Sequence, residues 1–162
     1  MKMALLIVDV QEAYVGDRRA SKSFDKIMDH INYSGSLFRA AELPVIVIRD
    51  IESGDGEKYQ NIVELNSDPS DIEVLKTYNN AFWQTDLDEI LKKLEVDFLI
   101  ICGNAAEYCV GATYSGAIER GYQTTLLQNG VFASREESLL IHFYNRELIS
   151  CTVIEGIVGF EL

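Results

Sequence analysis

The fold of this chain is decided by residues 97–113, which read DFLIICGNAAEYCVGAT. Phe98–Gly103 is apolar or small without alternation, a pattern typical of a strand buried on both faces of a parallel sheet. A turn of small and polar residues leads from Gly103 to Cys109, and we predict a helix from Cys109 that Gly121 ends. The sequence therefore predicts that Cys109 lies in the first turn of a helix that follows a buried strand.

Cys109 is a candidate nucleophile because of this position. Free backbone N–H groups converge at the start of a helix, and the positive end of the helix dipole favours a thiolate over a thiol. The same amides could stabilise an oxyanion. The alternative is a small buried hydrophobe, which describes most free cysteines. The choice between the two depends on the rest of the chain.

Length, charge and cysteine content limit what the protein can be. A chain of 162 residues is the size of one domain, and we predict a single domain over 1–162. The net charge of −12 argues against nucleic acid or an anionic membrane surface as a partner. The chain has an odd number of cysteines, Cys102, Cys109 and Cys151, and none of them forms a CxxC pair. This pattern favours a reducing compartment. Asp9 interrupts the first apolar run too early for a signal peptide, so we expect a cytoplasmic protein.

Strands and helices alternate along the chain. We predict strands over 4–10, 45–48, 73–77, 98–103, 122–127 and 151–154. We predict helices over 23–42, 109–120 and 134–149 and from Thr85, with Thr85/Asp88 and Ser134/Glu137 as N-terminal capping pairs. The segment 50–73 is long for a connection, and it is therefore either functional or mobile. About six mostly parallel strands with helices on both faces predict a doubly wound, Rossmann-like α/β sheet.

Polar residues follow several of the predicted strands. Ligands in such folds bind outside the carboxyl ends of the strands. The residues placed there are Asp9, Asp50, Lys76 and the turn from Asn104 to Cys109. Alone, Asp9 could cap a turn and Lys76 could extend to water. Together with Cys109 they make chemical sense, because a carboxylate can take the thiol proton and an ammonium can stabilise negative charge.

Three motifs resemble the isochorismatase-like cysteine hydrolase superfamily. They are ALLIVDVQ at 4–11, LKTYNNAFWQTDL at 75–87, and GNAAEYCV at 103–110 followed by Gly121-Tyr122. Their order and spacing extend the resemblance over nearly the whole chain. The resemblance implies an Asp–Lys–Cys catalytic triad, which falls on Asp9, Lys76 and Cys109. It also implies a cis peptide between Asn104 and Ala105, in a turn that aims the N–H groups of Ala105 and Cys109 at the substrate oxyanion.

The chain also departs from some members of that superfamily. Nicotinamidases carry an Asp and histidines that bind a metal beside the pocket. Asp50 stands in a plausible place, but no histidine occurs between His30 and His142. We therefore expect no metal site, no other cofactor and no nicotinamidase activity. Isochorismatases proper cleave a vinyl ether and need no thiol, so Cys109 favours C–N hydrolysis instead.

The expected function is hydrolysis of an amide-like C–N bond in a small molecule. Cys109 would form a thioester, Asp9 would act as general base and acid, and Lys76 would stabilise charge. Two alternatives stay open: a catalytically silent small-molecule binding protein on the same fold, and an isochorismatase-type vinyl-ether hydrolase. A response-regulator receiver domain fits poorly, because Asp9 lacks an acidic neighbour and Lys76 precedes the fourth long strand.

Further residues are candidates for the walls of the substrate pocket. They are Gln11, Tyr14, Tyr78, Phe82, Trp83 and Tyr108. Each of these aromatic side chains could equally pack in the core. The resemblance also implies a homo-oligomer, a dimer or a tetramer, and a small-molecule substrate as the partner. No residue selects a particular substrate.

Overall fold

The computed structural model describes residues 1–135 and 137–159, which form one six-stranded parallel sheet between helices. The strands are β1 (Met3–Val8), β2 (Val45–Asp50), β3 (Ile72–Lys76), β4 (Phe98–Gly103), β5 (Gln123–Val131) and β6 (Leu148–Ile149). All five pairings between neighbouring strands are parallel, in the order β3-β2-β1-β4-β5-β6. The predicted doubly wound α/β class is confirmed. The last three residues of the predicted domain lie outside the described residues.

Six α-helices cover the sheet within the described residues. They are α1 (Glu12–Val15), α2 (Phe24–Ala40), α3 (Leu87–Lys93), α4 (Cys109–Glu119), α5 (Ser138–Tyr144) and α6 (Cys151–Val158). Two 3-10 helices, Gly16–Ala20 and Glu57–Tyr59, lie in the loops that follow α1 and β2. α2 and α6 pack on one face of the sheet, whereas α3 and α4 pack on the other.

β1 and β4 are continuous apolar runs because both of their faces are covered. Leu5 and Ile7 belong to the core beneath α2, and Leu6 and Val8 belong to the core beneath α3 and α4. Each of these four side chains is buried. Burial on both sides removes the alternation of polar and apolar residues that a half-exposed strand shows.

The order of the strands fixes where a ligand site can form. The chain runs outward from β1 to β2 and β3, and then returns to place β4 on the other side of β1. The carboxyl ends of β1 and β4 therefore lie at the point where strand order reverses, which is where doubly wound sheets bind ligands. Asp9 follows β1 directly, and the turn after β4 leads into α4.

The C-terminal region differs from the prediction. The predicted strand over 151–154 is wrong, because Cys151–Val158 is helical and β6 is Leu148–Ile149. Ser150 is the N-cap of α6, and its hydroxyl accepts the N–H of Val153 at 3.3 Å. This cap and the burial of Ile154 outweigh the strand propensity of Thr152 and Val153.

The predicted helix over 134–149 is too long, and its predicted capping pair is wrong. α5 comprises Ser138–Tyr144 only. The backbone N–H of Ser134 donates to the carboxylate of Glu107, at 3.0 Å from each oxygen, rather than to Glu137. Glu107, which is distant in sequence, therefore accepts the Ser134 N–H that Glu137 was predicted to accept.

The predicted Thr85/Asp88 pair is found only in part. The helix begins at Leu87, whose N–H donates to the Thr85 hydroxyl oxygen at 3.3 Å, and the same hydroxyl donates to the Ala81 carbonyl. The Asp88 carboxylate does not complete the pair, because it accepts from Tyr122 and Lys92. Among the described residues, no helix combines the length and hydrophobicity needed to cross a bilayer.

Candidate active site

Asp9 ends β1 in a conformation that is uncommon for a residue with a side chain. Its φ is 50°, in the left-handed region, where residues other than glycine are strained. Its N–H donates to the Ile48 carbonyl at 2.9 Å, which fixes the end of β1 against β2. Asp9 is only 1% exposed. The strand end therefore presents a buried carboxylate at the carboxyl edge of the sheet.

Lys76, the last residue of β3, lies between two carboxylates. Its Nζ is 2.8 Å from Oδ2 of Asp9 and 2.8 Å from Oδ2 of Asp50. The Lys76 side chain is fully buried, as is usual only for a charge that is paired. The second oxygen of Asp50 accepts the N–H of Glu52 at 2.8 Å. The second oxygen of Asp9, Oδ1, is buried and has no hydrogen-bond partner in the described residues.

Cys109 joins this group at the start of α4. The Lys76 ammonium donates to Sγ of Cys109 at 3.4 Å, and the thiol donates to Oδ1 of Asn79 at 3.5 Å. Sγ of Cys109 and a carboxylate oxygen of each of Asp9 and Asp50 lie within 4.8 Å of one another. Three residues that are far apart in the chain, Asp9, Lys76 and Cys109, are thus brought into direct proximity.

The turn between β4 and α4 places the Cys109 thiol. Gly103 has φ 106°, and a Cβ at this position would lie 2.1 Å from the Val8 carbonyl oxygen. The peptide bond between Asn104 and Ala105 is cis. The Ala106 N–H donates to the Phe132 carbonyl at 2.9 Å, which anchors the turn to the end of β5. This anchoring and the close approach to β1 hold the turn at the edge of the sheet.

The backbone amides proposed for the oxyanion are free of internal bonds. Among the described residues, neither the N–H of Ala105 nor that of Cys109 donates a hydrogen bond, whereas the N–H of Val110 donates to the Ala105 carbonyl at 3.1 Å. Cys109 is the first residue of α4, where N–H groups have no partner inside the helix. Both amides are therefore available to a ligand.

The electrostatics of the cluster put the resting proton on sulfur. Burial, together with the negative charge of Asp9, raises the pKa of Cys109 to about 12 despite the opposing effect of Lys76. Burial also raises the pKa of Asp9, to about 6, against the opposing effects of Lys76 and Cys109. The expectation that the helix end gives Cys109 a low pKa is therefore wrong, because burial and Asp9 outweigh it. At neutral pH, a thiol faces an ionised carboxylate.

Lys76 stays protonated in this environment. Burial alone would lower its pKa, but Asp9, the Cys109 sulfur and Asp50 together raise it. The ammonium therefore neutralises part of the charge of two carboxylates. It also lies close enough to the sulfur to stabilise a thiolate during a reaction.

The donor atoms of Asp9, Asp50 and Cys109 do not suit a metal ion, although their separation would permit one. The Lys76 ammonium already bonds to both carboxylates at 2.8 Å and contacts the sulfur. A divalent cation bound to the same oxygens would lie against this positive charge. Lys76 fills the cationic position of the cluster.

A cleft of about 270 Å³ opens over the cluster. Its lining residues are Asp9, Tyr14, Asp50, Glu52, Ser53, Asn79, Asn104, Ala105, Tyr108 and Cys109. The volume is near the lower end of the range for small-molecule sites. Tyr14 and Tyr108, both candidates from the sequence, are among the lining residues.

The other pocket candidates lie elsewhere. Phe82 is buried in the core, stacked on Tyr122 with ring centroids 5.8 Å apart. Tyr78 and Trp83 are about half exposed and do not line the cleft. Gln11 is fully buried and supports Asp50, since its amide donates to the Asp50 carbonyl at 2.9 Å and accepts the Asp50 N–H at 2.8 Å.

Sequence reasoning missed several of the cleft residues. Asn79 accepts from the Cys109 thiol, and Glu52 and Ser53 line the opening. The sequence placed Asp50 at a strand end and weighed it as a metal ligand, whereas the structure pairs it with Lys76. The position of each just beyond β2 or β3 was an available signal, because the carboxyl ends of parallel strands share one edge.

Comparison with known proteins identifies the family of the chain. The family model described as isochorismatase domain matches residues 3–150. The chain belongs to the isochorismatase family. The resemblance seen in the sequence is thereby confirmed, and members of this family are hydrolases.

The individual proteins that resemble the chain are distant in sequence. An uncharacterized family protein of Escherichia coli O157:H7 is 24% identical, with 88% of each chain covered. Streptothricin hydrolase of Streptomyces noursei is 29% identical over 76% of this chain, which spans 51% of that protein. The crystal structure of N-carbamoylsarcosine amidase from Thermoplasma acidophilum superposes with a TM-score of 0.80 at 22% identity, covering 93% of this chain and 97% of that one. The structural match supports the fold.

Proposed function

We propose that this isochorismatase-family protein hydrolyses an amide-like C–N bond of a small molecule through a thioester on Cys109. One observation carries the proposal: beneath a cleft lined by Asp9 and Cys109, the Lys76 ammonium bonds to Asp9 at 2.8 Å and to the Cys109 sulfur at 3.4 Å. A nucleophile, a base and a cation that meet in this way are the elements of covalent acyl transfer.

In the first half of the reaction, Asp9 acts as a base and then as an acid. Its unpartnered Oδ1 takes the thiol proton as the sulfur of Cys109 attacks the substrate carbonyl carbon. The negative charge that develops on the carbonyl oxygen is stabilised by the N–H groups of Ala105 and Cys109. When the C–N bond breaks, Asp9 returns the proton to the leaving nitrogen, and an acyl group remains on sulfur.

In the second half, water releases the acyl group. Asp9 takes a proton from a water molecule whose oxygen attacks the thioester carbonyl, and the same two amides stabilise the second oxyanion. The C–S bond then breaks, the carboxylic acid leaves, and Asp9 returns the proton to the Cys109 sulfur. Lys76 keeps Asp9 oriented and offsets the charge of the departing thiolate.

The names of two similar proteins support amide chemistry. One is a streptothricin hydrolase and another is an N-carbamoylsarcosine amidase. A vinyl-ether hydrolase needs no thiol, so it would leave the contacts of Cys109 with Lys76 and Asn79 without a chemical purpose.

The test is release of ammonia or amine from a panel of small carboxamides and ureido acids by the protein and two variants. We expect Cys109→Ala to lower kcat/KM by at least about a thousandfold. Cys151→Ala is the matched control, because Cys151 lies in α6 beside Ser34, away from the cleft, and should keep full activity. Undiminished turnover in Cys109→Ala would reject the thioester, and absence of turnover across the panel would favour a silent binding protein.

A further inference from the structure

The charged side chains that line the cleft over Cys109 are all negative. Asp9, Asp50 and Glu52 are lining residues, and none of the described lining residues is arginine, lysine or histidine. The nearby Lys76 ammonium is buried behind them and is shared between Asp9 and Asp50. Three carboxylates against one ammonium leave a negative excess at the place where a substrate would bind.

Glu52 is the carboxylate that is free to meet a ligand. Within the described residues its side chain has no hydrogen-bond or ion-pair partner, and it is exposed at the opening of the cleft. Its backbone is fixed nonetheless, because its N–H donates to Oδ1 of Asp50 at 2.8 Å. The next turn is closed by the Gly54 N–H, which donates to the Ile51 carbonyl at 3.0 Å.

The loop that carries Glu52 is also held from below. Arg49, which is nearly buried, donates to Asp55 at 2.6 Å and to Glu73 at 2.7 Å. Asp55 in turn accepts from the Gln60 amide at 3.1 Å. A carboxylate on an anchored loop loses less freedom when it pairs with a ligand than one on a free loop.

Two further observations point to a positively charged ligand. Tyr14 and Tyr108 supply aromatic walls, and aromatic faces attract organic cations. Oδ1 of Asp9 is a buried carboxylate oxygen in the cleft with no partner among the described residues. The negative potential is also felt at Tyr14, whose pKa is raised to about 12 by burial and then by Asp50 and Asp9.

We propose that the cleft selects amide substrates that carry an ammonium or guanidinium group, and that Glu52 supplies the carboxylate that pairs with it. That the bound molecule is a substrate rests on the proposed hydrolase function, whereas the charge preference of the cleft does not. An anionic ligand would meet Asp9, Asp50 and Glu52 and would find no cationic side chain among the lining residues.

The test measures the charge preference at the Cys109 sulfur without requiring turnover. Three methanethiosulfonates of similar size are used: a trimethylammonioethyl reagent, an uncharged alkyl reagent and a sulfonatoethyl reagent. Each transfers its alkylthio group to Cys109, releases methanesulfinate and forms a mixed disulfide, which peptide mass spectrometry locates. Every rate is divided by the rate with free 2-mercaptoethanol. Because the same sulfur attacks all three reagents, the thiolate fraction of Cys109 cancels from the ratios of their rates.

Glu52→Gln is compared with a matched control, Glu57→Gln. Glu57 is exposed on the same loop and does not line the cleft, so the control removes an equal charge at a different place. We expect the cationic reagent to react with Cys109 at least about tenfold faster than the anionic one at low salt. Glu52→Gln should lower this ratio at least about threefold, Glu52→Lys should lower it further, and Glu57→Gln should leave it unchanged.

Three results would overturn the proposal: equal rates for the cationic and anionic reagents, a ratio unaffected by Glu52→Gln, or an equal loss of the ratio in Glu57→Gln. The outcome is independent of the proposed function. A protein that selects the cationic reagent but forms no thioester would retain the charge preference and lose the hydrolase assignment. A protein that hydrolyses amides with no preference for cationic ones would keep the hydrolase assignment and lose the proposed charge preference.

Discussion

Burial raises the pKa of both acids of the site, Asp9 and Cys109, but leaves the two pKa values well apart. The pKa of Asp9 is raised to about 6 and that of Cys109 to about 12. Near neutral pH, Asp9 is therefore ionised and Cys109 protonated. In the proposed mechanism, the sulfur becomes a nucleophile as its proton moves to Asp9. In the proposed reaction, the carboxylate therefore activates the thiol as the sulfur attacks the substrate.

The first prediction at this scale concerns pH. Asp9 can accept the thiol proton only when it is ionised, so kcat/KM should rise with pH through about 6 and then level off. Below that value, Asp9 carries its own proton and activity is lost. Steady-state rates between pH 4.5 and 9 check this. A profile that begins to rise only near the ordinary pKa of a thiol would mean that Cys109 ionises without Asp9.

A second prediction concerns the buried ammonium. Lys76→Met leaves Asp9 and Asp50 buried without their cation, and this should lower the free energy of unfolding by about 3–5 kcal/mol. Lys92→Met is the matched control, because Lys92 pairs with Asp88 at 2.6 Å but is 69% exposed, and its loss should cost less than about 1 kcal/mol. Urea unfolding measures both.

A double variant shows that the loss comes from the uncompensated charge. Adding Asp50→Asn to Lys76→Met removes one of the two unpaired carboxylates, so part of the stability should return. Equal stability of Lys76→Met and Lys92→Met would show that the Lys76 ammonium is not needed to hold the two carboxylates.

The candidate site was only partly predictable from single residues. Asp9, Lys76 and Cys109 stand at strand ends or at a strand-to-helix turn, and the alternation of strands and helices brings such positions to one edge. Asn79 and Glu52 lie in irregular segments, whose course depends on tertiary contacts such as the hydrogen bond from the Ile51 N–H to the Lys76 carbonyl at 2.8 Å. The raised pKa of Cys109 depends on the final degree of burial, which no local pattern gives.

At the level of elements, the turn from β4 to α4 depends on two close approaches between backbones. Gly103 lies against Val8 of β1, and the N–H of Asn104 donates to the Val8 carbonyl at 2.8 Å. Gly111 in α4 similarly lies against the Ala106 carbonyl, where a Cβ would come within 2.5 Å of the oxygen. These contacts leave little freedom in the segment that carries Cys109.

A pair of glycine substitutions tests this turn. Gly103→Ala should lower the free energy of unfolding by about 3 kcal/mol or more, because its φ is 106° and its Cβ would meet the Val8 backbone. Gly121→Ala is the control: its φ of 89° is also unfavourable, but no atom lies within 4 Å of the Cβ position. We expect it to cost about 1–2 kcal/mol. Equal costs, measured in urea, would contradict the packing argument.

The elements of the sheet were predictable where burial on both faces leaves a continuous apolar run, as in β1 and β4. The C-terminal elements were not, for a physical reason. Cys151–Val158 begins with β-branched residues, yet its ends carry helix signals, a Ser150 cap and Gly159 with φ 80°. The Ser150 cap and the burial of Ile154 outweighed the local propensity for a strand in this segment. At α5, the competing contact came from Glu107, which is distant in sequence.

For the whole molecule, the net charge of −12 and the acidic cleft act in the same direction. A cationic small molecule is attracted over a distance of about 10 Å at moderate salt, whereas an anionic one is repelled. The cytoplasmic location and the homo-oligomer both stay predictions. Light scattering coupled to size exclusion checks the second, with a dimer or tetramer expected and a monomer contradicting it.

The central claim is that Cys109 carries the acyl group, and rapid acid quenching followed by intact-mass measurement tests it most directly. During turnover of an amide, we predict a mass gain equal to the acyl group, located on Cys109 by peptide mapping. The adduct should be absent in Cys109→Ala, and hydroxylamine should release it as a hydroxamate. Continued C–N cleavage with no adduct at any quench time, and with no hydroxamate formed, would contradict the claim.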